Sequence, residues 1–397
     1  MEIVKFFAFP PVNCKMKVAL VHDWLTGMRG GEKCLEVFCQ LFPKAPIFTL
    51  FHVKGSVSQS IERHRIVTSF LNFVPFSQNT YRYYLPLFPS AIESFDLNGY
   101  DLVISSSHCV AKGIRVPEGT YHLAYIYTPM RYIWDQYEAY FSKGQASFLV
   151  RSAMRVFRPW LQKWDVSSNK QVNDFIAISQ HVARRIKSCW DREAMVVYPP
   201  VNWQSFEASD RNEGFYLMVT SLVPYKRVDL AIHAANALDI PLKIIGNGPQ
   251  MKQLTHLAGP KIELLGWQSD QVVHGYLARC KALLFPGEED FGIVPLEAIA
   301  SGKPVIAYGK GGVLETVTPL NPIAPCDATA HPTGVFFYEQ KADALIEAIQ
   351  VFEKRRSEFQ PQAIRAHVKA FDREYFKERI KQVIMTNYEQ FRQSNPC

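Results

Sequence analysis

The chain has 397 residues, 48% hydrophobic and 20% charged, with a formal net charge of +7. That is an ordinary globular make-up with room for about two or three domains of ~100–200 residues, and no run reaches the ~18 apolar residues a membrane span needs. Eight cysteines are scattered without a CxxC pair or metal-ligand spacing, so they read as reduced, mostly buried thiols of a cytosolic protein.

Along the chain, "MEIVKFFAFPPVNCK" comes first, one apolar patch broken by two prolines. It is too short and too Pro-rich for a signal peptide, and Met16 is an alternative start, because "MKVALVHDW" opens the first strand. Strands are expected over 17–22, 46–51, 101–107, 122–127 and 174–179 in the first half. In the second half they are expected over 215–221, 242–246, 262–266, 282–286 and 304–308. Amphipathic segments between them, such as 31–41, 180–189, 226–238 and 291–301, read as helices. Continuous apolar strands joined by helical crossovers imply an α/β protein with parallel sheets covered on both faces. The pattern predicts two Rossmann-like domains, 16–198 and 214–375, facing across a cleft. A polar, Pro-containing linker (199–213) joins them, and a C-terminal helix (376–397) packs back on the first domain. In such sheets ligands sit beyond the carboxyl ends of the strands, which makes the cleft the candidate site.

Several motifs fall at strand ends. Gly30 and Gly31 in "TGMRGGEK" open a helix where backbone can approach a phosphate, or form a plain tight turn. They are not a GxGxxG fingerprint, and no ribose-binding acid stands ~20 residues on. His108 in "ISSSHCVAKG" follows a strand and stands either as a structural histidine or as a ligand to a sugar. Lys226 and Arg227 in "LVPYKRVDLAI" begin a helix where cations and N–H dipoles can stabilise a departing diphosphate. Gly246 and Asn247 form a glycine turn in "IGNGP". Trp267 and Gln268 follow a strand in "LGWQSD", with a core aromatic as the competing reading of Trp267. In "FPGEEDFGIVPLEAIASGKP", Pro295 suits the first turn of a helix. That places Glu297 in the same turn and the backbone of Phe291, Gly292, Ile293 and Val294 at a helix N-terminus able to hold an anion. Two further stretches stand out. Segment 66–95 carries eight aromatics, and 143–170 carries six Lys/Arg against Asp165 alone. Arg151, Arg155 and Arg158 share one helical face, while Leu149, Ala153, Val156, Trp160 and Trp164 share another, and Pro159 is expected to kink or break the helix. The two readings of this segment are docking on an anionic bilayer and a solvated face over an aromatic core.

Glu289-x7-Glu297 with "SGKPVIAYGKGGVLETV", together with "HDWLTGMRGGEK", "SSSHCVAKG", "TPMRYIWD", "YPPV", "LVPYKRVDLAI" and "LGWQSD", resembles the retaining GT-B glycosyltransferases of family four. The bacterial branch that uses nucleotide sugars, often GDP-mannose, for cell-surface polysaccharides is the most similar. The resemblance covers nearly the whole chain from Met16. It implies a GT-B fold and a hexosyl transfer from GDP-mannose to a lipid-linked or free glycan, with no cofactor, no metal and no nucleic-acid partner. The implied setting is cytoplasmic, at the inner face of the membrane. By the same resemblance Glu289 contacts donor-sugar hydroxyls and Glu297 the ribose. Phe291, Gly292, Ile293 and Val294 hold sugar and phosphate. His108 lies near the donor sugar, Lys226 with Arg227 binds the diphosphate, and Trp267, Gln268, Gly246 and Asn247 lie by the nucleotide. The loop with Gly30 and Gly31 lies between donor and acceptor, and Asp23 and Arg131 fall on the acceptor side. The family carries an arginine five residues before the lysine; here Ser221 stands there. A nucleotide-sugar epimerase of the same fold and a silent scaffold are the alternatives.

Overall fold

The computed structural model describes residues 16–74, 81–141, 147–320 and 331–395; Cys14, Lys143, Cys326 and Cys397 lie outside them. The first half forms a seven-stranded sheet from β1 (Val18–His22), β2 (Ile47–Thr49), β3 (Ile66–Thr68), β4 (Leu102–Ser107), β5 (Tyr121–Ile126), β6 (Asp174–Ala177) and β7 (Met195–Val196). Its order is β3-β2-β1-β4-β5-β6-β7, with every pairing parallel. The second half forms a six-stranded sheet from β8 (Tyr216–Val219), β9 (Leu242–Ile245), β10 (Ile262–Gly266), β11 (Leu283–Phe285), β12 (Val305–Tyr308) and β13 (Gly334–Phe337), ordered β10-β9-β8-β11-β12-β13. It too is parallel throughout.

Every residue of β1, β4 and β5 is buried, which is why each carries a continuous apolar stretch, Val18–Val21, Leu102–Ile104 and Leu123–Ile126, rather than an alternating one. Each fully buried Leu, Ile or Val contributes about 1.5–3 kcal/mol by leaving water. Strand order reverses between β1 and β4 and again between β8 and β11. These two switch points are where a doubly wound sheet opens a crevice.

Three strands, β3, β7 and β13, went unforeseen. They are two to four residues long and lie at or near sheet edges, so no long apolar run announces them. The return helix spans Arg373–Ser394, beginning three residues before the expected boundary. Its Phe376 packs on Phe38 and Tyr125, and its Phe391 on Tyr121, all in the first half. Just before it, the Val201 N–H donates to Phe371 O at 2.9 Å, so the outgoing and returning crossings lie side by side. The helix Phe148–Ser167 runs on through Pro159 rather than breaking there. The five described cysteines are free.

Candidate active site

At the first switch point, Asp23 follows β1 and is fully buried. It accepts the backbone N–H groups of His108 (2.6 Å), Cys109 (3.0 Å), Val110 (2.7 Å) and Ala111 (2.7 Å), and His108 Nδ1 lies 3.0 Å away. Burial alone would raise this carboxyl; the charge and hydrogen bonds of His108 outweigh it and hold it below the usual range. The acceptor role expected of Asp23 is therefore corrected. Its oxygens are spent inside the chain, where they fix the loop after β4 and orient His108. With Nδ1 turned to a carboxylate, Nε2 of this partly exposed histidine is the nitrogen left for a ligand. Trp24 holds the ring edge-on at 4.4 Å.

The helix Gly30–Leu41 starts beside His108's neighbour Tyr127. A Cβ on Gly31 would touch Tyr127 and His22 at 3.4 Å, and one on Gly30 would strike Ile293 Cδ1 at 2.7 Å. The second half thus comes within side-chain contact of this helix start, through the end of the Ile293 side chain. One turn on, Lys33 Nζ reaches Glu297 at 3.4 Å.

At the second switch point, β11 ends in the turn Pro286–Gly292. Gly287 allows the Tyr225–Lys226 backbone to lie against it, where a Cβ would meet Lys226 Cα at 2.9 Å. Gly311 and Gly312 support the other side, because a Cβ on either would collide with the Glu289 or Asp290 carbonyl, at 2.5 and 2.3 Å. The Gly312 N–H donates to Glu289 O at 2.7 Å. The acidic turn is clamped between two glycine contacts, and Glu289 meets the Lys226 ammonium in a direct ion pair. Lys226 lies in a short 3-10 turn, Pro224–Lys226, and not in the helix, which begins at Val228. Burial and then the Arg131 charge push its ammonium down to about 7, opposed by Asp290. Arg227 turns away in a left-handed conformation (φ 52°) to bind Asp229 at 3.0–3.1 Å.

Gly292, with φ 94°, caps the helix Ile293–Ala300. Only glycine adopts that backbone cheaply, and it starts the helix before the proline. Glu297 consequently lies in the second turn, not the first. Burial raises its carboxyl above the usual value against the opposing pull of Lys33. Phe291 is core, stacked on Tyr198 at 5.7 Å, so only its backbone can serve a ligand.

Gly246 and Gly248 pack on the loop after β8; a Cβ on Gly246 would lie 1.7 Å from Thr220 O. Ser221 and Asn247 are exposed at this edge. Trp267 is 73% exposed, which removes the core-aromatic reading. The Gln268 side chain donates to Leu265 O at 2.8 Å.

Arg131 departs furthest from expectation. Its Nε donates to Asp290 Oδ2 at 2.8 Å, so it is engaged within the chain rather than free for an acceptor phosphate. Asp290, buried, also accepts Arg185 Nη1 at 2.7 Å, and its carbonyl accepts the Ser179 hydroxyl at 2.6 Å. The carboxyl stays ionised because these two arginines overcome the burial that would raise it. Nearby, Glu315 of the second half accepts the N–H groups of Gln180 and His181, at 2.7 and 2.9 Å. It thereby caps the helix Gln180–Trp190 of the first half. Nothing in the sequence pairs residues this far apart. The clue available was composition: an arginine in "TPMRYIWD" and a third acid in "GEEDFG".

Two parallel doubly wound sheets meeting at their switch points, with a terminal helix returning to the first, constitute the GT-B fold. Residues 202–370 match the family described as Glycosyl transferases group 1. An uncharacterized glycosyltransferase of Methanocaldococcus jannaschii is 34% identical over 148 residues, 36% of this chain and 42% of that protein. The alpha-1,3/1,6-mannosyltransferase ALG2 of Kluyveromyces lactis is 34% identical over 110 residues, 27% of this chain and 21% of that protein. The chain thus spans less than half the length of these curated relatives. Among solved structures, Anabaena HepE in complex with UDP and glucose superposes with a TM-score of 0.67 at 16% identity, covering 93% of this chain and 99% of HepE. That likeness establishes the fold. Among the described residues no cluster of potential metal ligands occurs and no helix is long and apolar enough to cross a membrane.

Proposed function

We propose that the chain is a retaining glycosyltransferase that moves a hexose, mannose from GDP-mannose, to a lipid-linked or free glycan acceptor. The observation that carries this reading is the Lys226–Glu289 pair on a turn fixed by Gly287 and Gly312, beside the helix N-terminus at Gly292–Val294. Diphosphate charge suits Lys226 and the N–H groups of that terminus. Glu289, released from Lys226 by the incoming diphosphate, accepts sugar hydroxyls, and Glu297 accepts ribose hydroxyls. Exposed Trp267 offers an aromatic face to the base. His108 Nε2, set by Asp23, contacts the sugar.

The acceptor hydroxyl attacks the anomeric carbon on the face the nucleotide leaves. The new C–O bond forms as the C–O bond to phosphate breaks, and the acceptor's proton passes to the departing phosphate oxygen. No side-chain nucleophile is needed. Protonated Lys226 stabilises the charge that develops on the leaving group. The cross-cleft contacts of Asp290 keep water out, because donor hydrolysis is the competing reaction.

The test is incubation with GDP-, UDP- and ADP-sugars and a lipid-phosphate-linked glycan, reading nucleoside diphosphate release and the anomeric proton of the product by NMR. The reading expects GDP release and an α-linked product. No release with any of these donors would favour a silent scaffold, and interconversion of free nucleotide sugars would favour an epimerase.

A further inference from the structure

The helix Phe148–Ser167 is amphipathic the wrong way round for a simple surface helix. Met154, Leu161 and Asp165 face inward. On the opposite side Leu149, Ala153, Val156 and Trp160 recur at spacings of four, three and four residues and form an apolar stripe open to solvent. Leu149 is 77% exposed, Val156 73% and Trp160 44%. A stripe of this kind on a soluble surface marks a contact. Its position does not follow from a shortage of core, because the inward face is well anchored. Buried Lys112 donates to Asp165 O (2.7 Å) and pairs with its carboxylate (3.0 Å), while Trp134 and Trp190 donate to the same carboxylate at 2.8 and 2.7 Å. The helix is thus locked in rotation with its apolar stripe outward.

Charge along the helix says what covers the stripe. Its only acid, Asp165, is consumed in the core, so every other charge it carries is positive: half-buried Arg151 and Arg158 and exposed Arg155 and Lys163. Beside the stripe a cleft of about 460 Å3 is lined by three arginines, Arg151, Arg155 and Arg158, against one acid, Glu138, with Tyr137, Phe141, Pro159 and Gln162. Arg158 is held there, donating to Ile133 O at 2.8 Å and stacking on Tyr137 at 4.2 Å. Arg151 and Arg155 form no ion pair with any described residue. An apolar stripe flanked by unpaired arginines fits a bilayer interface, with acyl chains against Leu149, Val156 and Trp160 and phosphates against the guanidinium groups. Arg–phosphate contacts are bidentate and strong.

We infer that the helix Phe148–Ser167 docks the protein on an anionic phospholipid bilayer, with a lipid phosphate seated in the Arg151–Arg155 cleft. The cleft is coupled to the catalytic turn. Tyr140, on the short helix that lines it, meets Tyr225 at 6.1 Å, next to Lys226. Docking through this face therefore orients the cleft between the halves relative to the membrane.

The inference stands apart from the transfer reaction and is tested without it. The full chain is mixed with vesicles of phosphatidylcholine alone or with phosphatidylglycerol added, and partitioning is read by sedimentation. Binding is expected to anionic vesicles and not to neutral ones. Arg151→Gln with Arg155→Gln should lower the partition coefficient about thirtyfold, the effect of two basic residues at an anionic surface. Val156→Ser with Leu149→Ser should lower it similarly, with unchanged melting temperatures because all four side chains lie at the surface. Lipids brominated in the acyl chain should quench tryptophan emission in the wild type, and Trp160→Phe should abolish that quenching. Equal binding to neutral and anionic vesicles, or quenching that survives Trp160→Phe, would overturn the proposal. So would inorganic phosphate at millimolar concentration displacing the protein from vesicles as fully as the double arginine variant does, since the cleft would then be a free-phosphate site.

Discussion

Arg131 and Asp290 form an ion pair across the cleft, 159 residues apart in sequence, with Nε donating to Oδ2 at 2.8 Å. Arg185 completes the contact at 2.7 Å. The acidic turn that carries Glu289 is thereby tied, one residue away, to the opposite half of the molecule.

Removing Asp290 leaves the buried Arg131 without its carboxylate, while Arg185 keeps Asp135 at 2.6 Å. Asp290→Ala should destabilise the protein by about 3–5 kcal/mol, measured by urea denaturation. The pH dependence has a definite sign. The Asp290 carboxyl lies below its usual value in the folded protein, so its contribution is present above the unfolded value of about 3.9 and is lost as pH falls through the folded one. The acid limb of the wild-type stability curve should flatten in Asp290→Ala; an unchanged limb would show that the pair contributes nothing.

Glu289→Gln keeps shape and removes charge. Turnover should fall by about a hundredfold or more, as for loss of an electrostatic contact made at the reacting sugar. The melting temperature should stay within a few degrees because the side chain is partly exposed, while the glycine contacts that hold the turn are made by its backbone. Near-wild-type turnover would take Glu289 out of the site.

Lys226 supplies a pH test of binding. With the empty-site ammonium at about 7, the free protein loses this charge as pH rises through that value, and a diphosphate must restore it. The Kd for GDP should therefore rise about tenfold per pH unit above 7, until the higher pKa of the occupied site is reached. Titration calorimetry in two buffers should show proton uptake on binding at pH 8. Lys226→Met should abolish both the slope and the uptake.

Ser221 is exposed at the end of β8, where the family carries arginine. Ser221→Arg adds a guanidinium within reach of the same anion and should tighten GDP binding on the order of tenfold, the usual worth of one charged hydrogen bond. No change in Kd would place Ser221 away from the phosphates.

The fold was legible because parallel strands buried on both faces carry continuous apolar stretches, as in Val18–Val21 and Leu102–Ile104. The strands that escaped notice are those too short for a run, such as Met195–Val196. Within the site, the Gly30–Gly31 pair was readable as a close approach of backbone, and the two glutamates only through the motif around them, since their spacing alone carries little. The turn occupied by Glu297 was not, because Pro295 is the third helical residue and the left-handed Gly292 sets the start. Arg131 and Asp23 have partners within the chain that the sequence did not show, for a common reason. An arginine or aspartate at a strand end looks free in sequence, and only the tertiary structure reveals a buried partner. For the helix at 148–167 the sequence leaves both readings open, because it does not tell which face turns outward; Leu149 and Val156 face water.

The central claim is that a nucleotide-activated sugar lies between the halves, gripped by Lys226, the N-terminus at Gly292 and the two glutamates. A crystal structure of the protein with GDP-mannose measures this directly. The account predicts Glu289 and Glu297 carboxylates at about 2.6–3.2 Å from sugar and ribose hydroxyls, with Lys226 moved from Glu289 onto the diphosphate. Both carboxylates directed to solvent, with Lys226 still on Glu289 and the donor bound elsewhere, would contradict it.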